Sequence, residues 1–199
     1  MEKKNEFKPY IPADKIVPEF TVTSIVIGII LAVVFGAANA YLGLIVGMTV
    51  SASIPAAVIS MGIIRVILRK DSILENNLVQ TIGSAGESVA AGAIFTLPAL
   101  FIWAEEGKIA FPSMMTIFLV ALFGGVLGIC FMVPLRQALI VEEHGTLPFP
   151  EGTACAEVLL AGEEGGAKAG TVFAGLGIAA ANKFIADGFK LFPSENGSA

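Results

Sequence analysis

Two glutamates stand where carboxylates are scarce. Glu87 lies in GSAGESVAAG, residues 83–92, within an otherwise uncharged run, and Glu157 follows the small-residue stretch GTACA. A carboxylate inside an apolar segment of membrane length is costly, and by default it marks a path for a proton, an ion or a polar substrate. A structural reading stands beside that one. Ser84-Ala-Gly-Glu87 has the spacing of a capping box, in which the glutamate closes a first helical turn and complements the helix dipole. The residues by themselves support both readings, and Glu157 divides in the same way. Asn39, Gln80 and Thr153 are uncharged polar residues in similar settings, able to line a path or to bond across helices.

The stretch GTLPFPEGTACAE, residues 145–157, is the most distinctive local pattern. Pro148 and Pro150 forbid one continuous helix through it. It reads either as a loop or as a broken element lining a cavity, since irregular backbone at membrane depth is tolerated only against protein or water. The start of a broken helix exposes N–H donors suited to polar substrate groups.

The elements that must position these residues follow from where charge is missing. No Asp, Glu, Lys, Arg or His occurs between Glu19 and Arg65. A bilayer core takes about 20 helical residues, so this gap predicts two crossings, near 20–42 and 48–69, with a glycine-rich turn between them. Further spans are predicted near 78–104, 109–135 and 169–186, with the broken Pro/Gly segment at 145–161. Residues 1–19 form a polar tail. Of the residues, 55% are hydrophobic and 15% charged, against roughly a quarter charged in soluble domains. The fold class is therefore an all-α polytopic membrane protein with four or five transmembrane helices, its first partner the lipid bilayer.

Lys and Arg alternate along the predicted loops. They are frequent in the tail (Lys3, Lys4, Lys8, Lys15), absent from the first turn, frequent again at Arg65, Arg69 and Lys70, and sparse at Lys108. This pattern places the N-terminus in the cytoplasm of a cell that carries the protein in its plasma membrane. A shift of 69 residues lays Gly83, Ala85 and Val89 on Gly152, Ala154 and Val158, which suggests repeated helical hairpins. Gly43/Gly47 and Gly124/Gly128 have GxxxG spacing, read as close helix packing.

Several classes are disfavoured. Walker A, GxGxxG, HExxH and GxSxG patterns are all missing, so no ATP site, nucleotide cofactor or hydrolytic nucleophile is expected. Cys130 and Cys155 form no CxxC and His144 is a lone loop histidine, so no metal site is expected. No basic cluster with interleaved aromatics points to nucleic acid.

The runs NAYLGLIVGMTVSASIPAAVISMGIIR (39–65), ENNLVQTIGSAGES (75–88) and LPFPEGTACAEVL (147–159) together resemble the N-terminal portion of the oligopeptide transporter family. That family includes yellow-stripe-like metal–chelate carriers, and the likeness is greatest to its bacterial members. The resemblance covers about residues 8–193. It implies a secondary carrier for small peptides or metal–chelate complexes, driven by proton symport, with no cofactor. It also implies that this chain is a piece of a longer carrier whose remaining helices are its partners, 194–199 being a cut end. Alternating access around a midplane site would make Glu87 and Glu157 the relay candidates, with Asn39, Gln80 and Thr153 as polar lining. The alternative is a non-transporting scaffold or assembly subunit that packs against partner helices, which the GxxxG spacings would serve.

Overall fold

The computed structural model describes residues 9–12, 14–164 and 166–189, and six α-helices lie among them. The expectations for residues 1–8 of the tail and for 194–199 lie outside the described residues.

Helix α1, Val22–Val46, begins with a reciprocal cap: the Thr21 hydroxyl accepts the Ser24 N–H and the Ser24 hydroxyl accepts the Thr21 N–H. It stops at Gly47, whose φ of 70° is left-handed and whose N–H donates to the Gly43 carbonyl. Glycine takes that conformation without steric cost. At about 1.5 Å per residue α1 is about 37 Å long, enough to cross a core of roughly 30 Å.

Helix α3 runs from Ile73 to Glu105, starting five positions before the expected 78. The Ser72 hydroxyl caps it by accepting the Glu75 N–H at 3.3 Å. The capping-box spacing thus occurs twice, at 72–75 and at 84–87, and the chain starts its helix at the first. Ser84 and Glu87 fall in the helix interior, so Glu87 does not cap its own helix. Glu75 is 1% exposed and accepts from Thr21 Oγ1 at 2.5 Å and Lys70 Nζ at 3.3 Å. This buried carboxylate ties the start of α3 to the start of α1.

Glycines set how α1 and α3 meet. Gly28 faces Ile82, Gly83 faces Leu31, Gly86 faces Ala32 and Gly36, and Gly43 faces Ile94. Both series increase together, so the two helices are parallel. At the tightest point the space that a Gly86 Cβ would need is occupied by the Ala32 backbone. Residues 32–36 are the middle of α1, which puts Glu87 in the interior of the α1/α3 pair, away from either helix end.

The chain between α1 and α3 differs from the expected crossing over 48–69. Residues 48–52 are not helical, and α2 covers only Ser53–Met61, continued by a π-helical turn, Gly62–Ile67. The apolar helical part, Ser53–Arg65, is shorter than a membrane span. It runs back toward the start of α1, where Ile64 packs with Leu31 and Val79 and Lys70 reaches Thr23 at 3.4 Å. The charge-free sequence could not separate this arrangement from a full hairpin. Helix propensity and hydropathy are satisfied either way, and the difference rests on who bonds the freed backbone groups.

Helix α5, Pro150–Glu164, is a second short helix. Pro150 occupies its first position, where a missing N–H costs nothing. It lies parallel to α2: Cys155 Sγ approaches the Ser53 carbonyl at 3.7 Å, Ala57 packs with Cys155 and Leu159, and Met61 contacts Gly162. Arg65 donates to the Gly162 carbonyl, capping the end of α5, and pairs with Asp71 at 3.5 Å. A cation there also complements the negative end of the helix dipole.

Helix α4, Met114–Arg136, continues as a π turn, Gln137–Glu142, and has no buried residue. Helix α6, Gly166–Phe189, contains the apolar stretch Ala169–Ala186. Four helices among the described residues are long and apolar enough to cross a membrane, those containing Val22–Val46, Ile73–Glu105, Met114–Glu142 and Ala169–Ala186. Of the two GxxxG pairs, Gly43 packs on Ile94 and Gly47 ends α1, whereas Gly124 and Gly128 have nothing within 4 Å and face a groove of about 800 Å³ between α3 and α4. The 69-residue shift pairs unlike positions, since Gly83 lies inside α3 and Gly152 in the first turn of α5.

Candidate functional site

Asn39 and Glu87 meet at the start of α2. Asn39, 3% exposed, projects from α1 and donates through Nδ2 to Glu87 Oε1 at 3.0 Å. Its Oδ1 accepts the Val50 N–H at 3.0 Å, and Glu87 Oε2 accepts the Ala52 N–H at 3.5 Å. These two side chains supply partners that the non-helical stretch 48–52 cannot find within itself. An unbonded N–H in hydrocarbon costs several kcal/mol, so the Asn39–Glu87 pair is what permits the chain to break at this depth. Glu87 also stands at the positive end of the α2 dipole. It is therefore a cap, but of a neighbouring helix 35 residues earlier in the chain.

A second carboxylate approaches from α5. Glu151 accepts the Ser51 hydroxyl, and that same hydroxyl oxygen accepts the Ser53 N–H at 3.4 Å. Two parallel short helices thus begin side by side, each with a glutamate at or near its N-terminal end. The arrangement is that of broken helices around a polar site, where freed backbone groups and helix ends face a cavity.

A cavity of about 480 Å³ opens between the starts of α2 and α5 and the flank of α3. Ser53, Asn77, Gln80, Glu151, Gly152 and Cys155 contribute to its wall. Gln80 is 8% exposed, and its Oε1 accepts the Thr81 hydroxyl at 3.3 Å.

The five residues singled out from sequence are divided by the structure. Asn39 and Glu87 bond to one another, and Gln80 lines the adjoining cavity. Thr153 and Glu157 are exposed and lie one helical turn apart on α5, outside the cavity wall. The Thr153 hydroxyl donates to the Phe149 carbonyl at 2.8 Å. Glu151, Ser51, Ser53 and Asn77 escaped the sequence reading. Glu151 had a signal, since an acid directly after Pro150 marks the first turn of a helix. Ser51 had none, because its role depends on a contact 100 residues away. Among the described residues no group of His, Cys, Asp and Glu is arranged to hold a metal ion.

Comparison with known proteins agrees with this architecture. The family model described as "OPT oligopeptide transporter protein" matches residues 19–194. A Haemophilus influenzae protein described as "Putative oligopeptide transporter" is 46% identical over 125 residues, covering 61% of this chain and 18% of that protein. The chain therefore corresponds to less than a fifth of its relative's length. No solved structure matches it. With a family match across most of its length and a helical membrane architecture to accompany it, the chain belongs to the OPT oligopeptide transporter family.

Proposed function

We propose that this chain forms part of the substrate path of a secondary carrier for small peptides or metal–chelate complexes, driven by proton symport. The observation that carries the reading is Glu87, a carboxylate in the interior of the α1/α3 pair bonded to the start of a broken helix. A group in that position changes its bonding to Ala52 and Asn39 when it takes up or releases a proton, which couples protonation to the geometry of the site. The full path is completed by further helices of the carrier. The apolar, unburied surface of α4 supports that part of the proposal. Glu157, exposed on α5 and outside the cavity wall, is proposed as a secondary relay position facing those helices, with Thr153 one turn before it.

Uptake by the intact carrier in proteoliposomes tests the reading. Labelled small peptides and a metal–chelate complex are offered with and without an inwardly directed proton gradient. Accumulation that requires the gradient is expected. Accumulation that is indifferent to it removes the symport mechanism, and no uptake of either class removes the carrier reading.

The lysine distribution supports a cytoplasmic N-terminus. A protease-sensitive tag on the N-terminal tail should be cut in inside-out vesicles and protected in right-side-out ones. The reverse pattern inverts the orientation.

A further inference from the structure

Helices α3 and α4 are joined by the short connection 106–113, yet a groove of about 800 Å³ separates them along their middles. It is lined from Thr81 to Leu97 on α3 and from Val120 to Met132 on α4. At about 1.5 Å per residue these edges are about 24 and 18 Å long, or about three to four helical turns. No charged residue contributes to the wall. Its hydroxyls are engaged within their own helix: Ser88 donates to the Ser84 carbonyl at 3.0 Å and Thr96 to the Gly92 carbonyl at 2.9 Å. What the groove offers an occupant is apolar contact.

Its floor is made largely of glycine. Gly92, Gly124, Gly125 and Gly128 line it, and a Cβ at any of the four would meet nothing within 4 Å. The flank of α3 that meets α1 is the contrast, because there a Cβ at Gly83 or Gly86 would press on Leu31 or Ala32. Glycine inside a helix is less favourable than alanine, and in a membrane its return is the close approach of a second helix. Against α1 that return is realised, and in the groove it is not. A fluid acyl chain adapts to any apolar surface and needs no glycine, whereas a helix uses both the low floor and the length. The aligned segment is only 18% of the relative's length, so that protein holds several times more chain from which such a helix can come.

We propose that the groove seats a membrane-spanning helix of the same carrier, drawn from chain outside these 199 residues. It lies along α3 and α4 and presents large apolar side chains to the glycines. The seat adjoins the site, since Ser88 on the groove wall directly follows Glu87. The incoming helix therefore supports a flank of α3 that α1 does not reach. The inference rests on the carrier reading for the existence of further helices and concerns how they assemble.

Two measurements on the intact carrier test the seat. Gly125→Ala and Gly128→Ala each add one methyl group. Under a seated helix that methyl overpacks the contact, and each variant should lower the melting midpoint by about 2 °C or more. With the groove open to lipid, alanine is the better helix former and the midpoint should hold or rise, an outcome that overturns the proposal. The second measurement leaves every glycine in place. Met132, on the groove wall, is replaced by a photoreactive diazirine analogue of methionine and illuminated. Cross-linked peptides that map outside residues 1–199, in product of unchanged monomer mass, are expected. Product of doubled mass places a second copy in the groove and overturns the assignment to the same chain. Product confined to lipid or to α3 overturns the seat altogether. Uptake recorded in parallel keeps the two readings apart: the expected cross-link in protein that accumulates no substrate upholds the seat and removes the transport reading.

Discussion

Replacing Gly86 by alanine is expected to be the most damaging single-methyl change in the described helices. A Cβ at this position would lie 2.7 Å from both the carbonyl carbon and the Cα of Ala32, and closer still to its oxygen. Those are backbone atoms of a continuous helix, so no rotamer change relieves the clash and α1 must move away from α3. Overpacking of this kind costs about 1–3 kcal/mol and occasionally more. Here it also draws Asn39 away from Glu87, because the same two helices carry them.

The neighbouring glycines supply a graded comparison. At Gly36 an added Cβ would stand 3.1 Å from the Gly86 carbonyl oxygen, a contact that yields with a small shift. At Gly43 it would come within 2.6 Å of Ile94 Cδ1 and 2.8 Å of its Cγ2, so this β-branched side chain must turn about χ1 or shift, whereas at Gly86 the obstacle is backbone. The expected order of damage is therefore G86A, well ahead of G36A and G43A. The measurement is the melting midpoint and the monodisperse yield of each variant of the intact carrier. Equal losses at the three positions would show that α1 and α3 do not meet as described.

Substitutions of Glu87 are expected to separate chemistry from architecture. Glu87→Gln removes the titrating proton and the charge facing the α2 dipole, yet its carbonyl oxygen can still accept from Asn39 or Ala52. Loss of the dipole term costs roughly 0.3–1 kcal/mol, so E87Q should insert and fold. If Glu87 carries the coupled proton, gradient-driven uptake should fall by about tenfold or more, the minimum loss when a proton-transfer group is removed. Glu87→Leu goes further, because it orphans the Asn39 amide and the Ala52 N–H together. Each orphaned donor costs roughly 1–3 kcal/mol, so E87L should lose folded protein as well as transport. Normal gradient-driven uptake by E87Q, with impaired folding of E87L, would reduce Glu87 to a structural cap of α2.

Much of the scaffold is legible in the sequence because it follows from local rules. The spans of α1, α3, α4 and α6 announce themselves through length and hydropathy. The Thr21 and Ser72 caps and the Pro150 helix start are local as well, although the second capping-box spacing at Ser84 competes with the first. Local spacing cannot choose between Ser72 and Ser84, since both offer a hydroxyl three residues before a glutamate. The choice falls to Ser72 because its hydroxyl also reaches the Pro18 carbonyl, at 2.5 Å, and Glu75 is buried against Thr21 and Lys70. An interior Ser84 has no such termination to satisfy.

The site itself was only half legible. Glu87, Asn39 and Gln80 stand out as polar residues in apolar runs, and the structure gathers them around one junction. Glu157 and Thr153 stand out for the same reason and face elsewhere, because small-residue composition around them carries no information about which side of α5 packs on α2. Ser51 passes unnoticed inside the predicted crossing near 48–69 and Glu151 in the Pro/Gly segment, although they bond directly to each other.

By itself, then, the sequence determined the membrane class, the long helices and the family. These depend on hydropathy, turn chemistry and motif identity, all of which act over a few residues. Tertiary structure alone decided that residues 48–69 return as a non-helical stretch followed by a short helix and not as one continuous helix, and that carboxylates from α3 and α5 bond to residues at the start of α2. The physical reason is that a chain can leave its helix inside a membrane only where distant side chains bond the freed N–H groups. Asn39 and Glu87 do this across 11 and 35 residues of sequence, a pairing that no local pattern records.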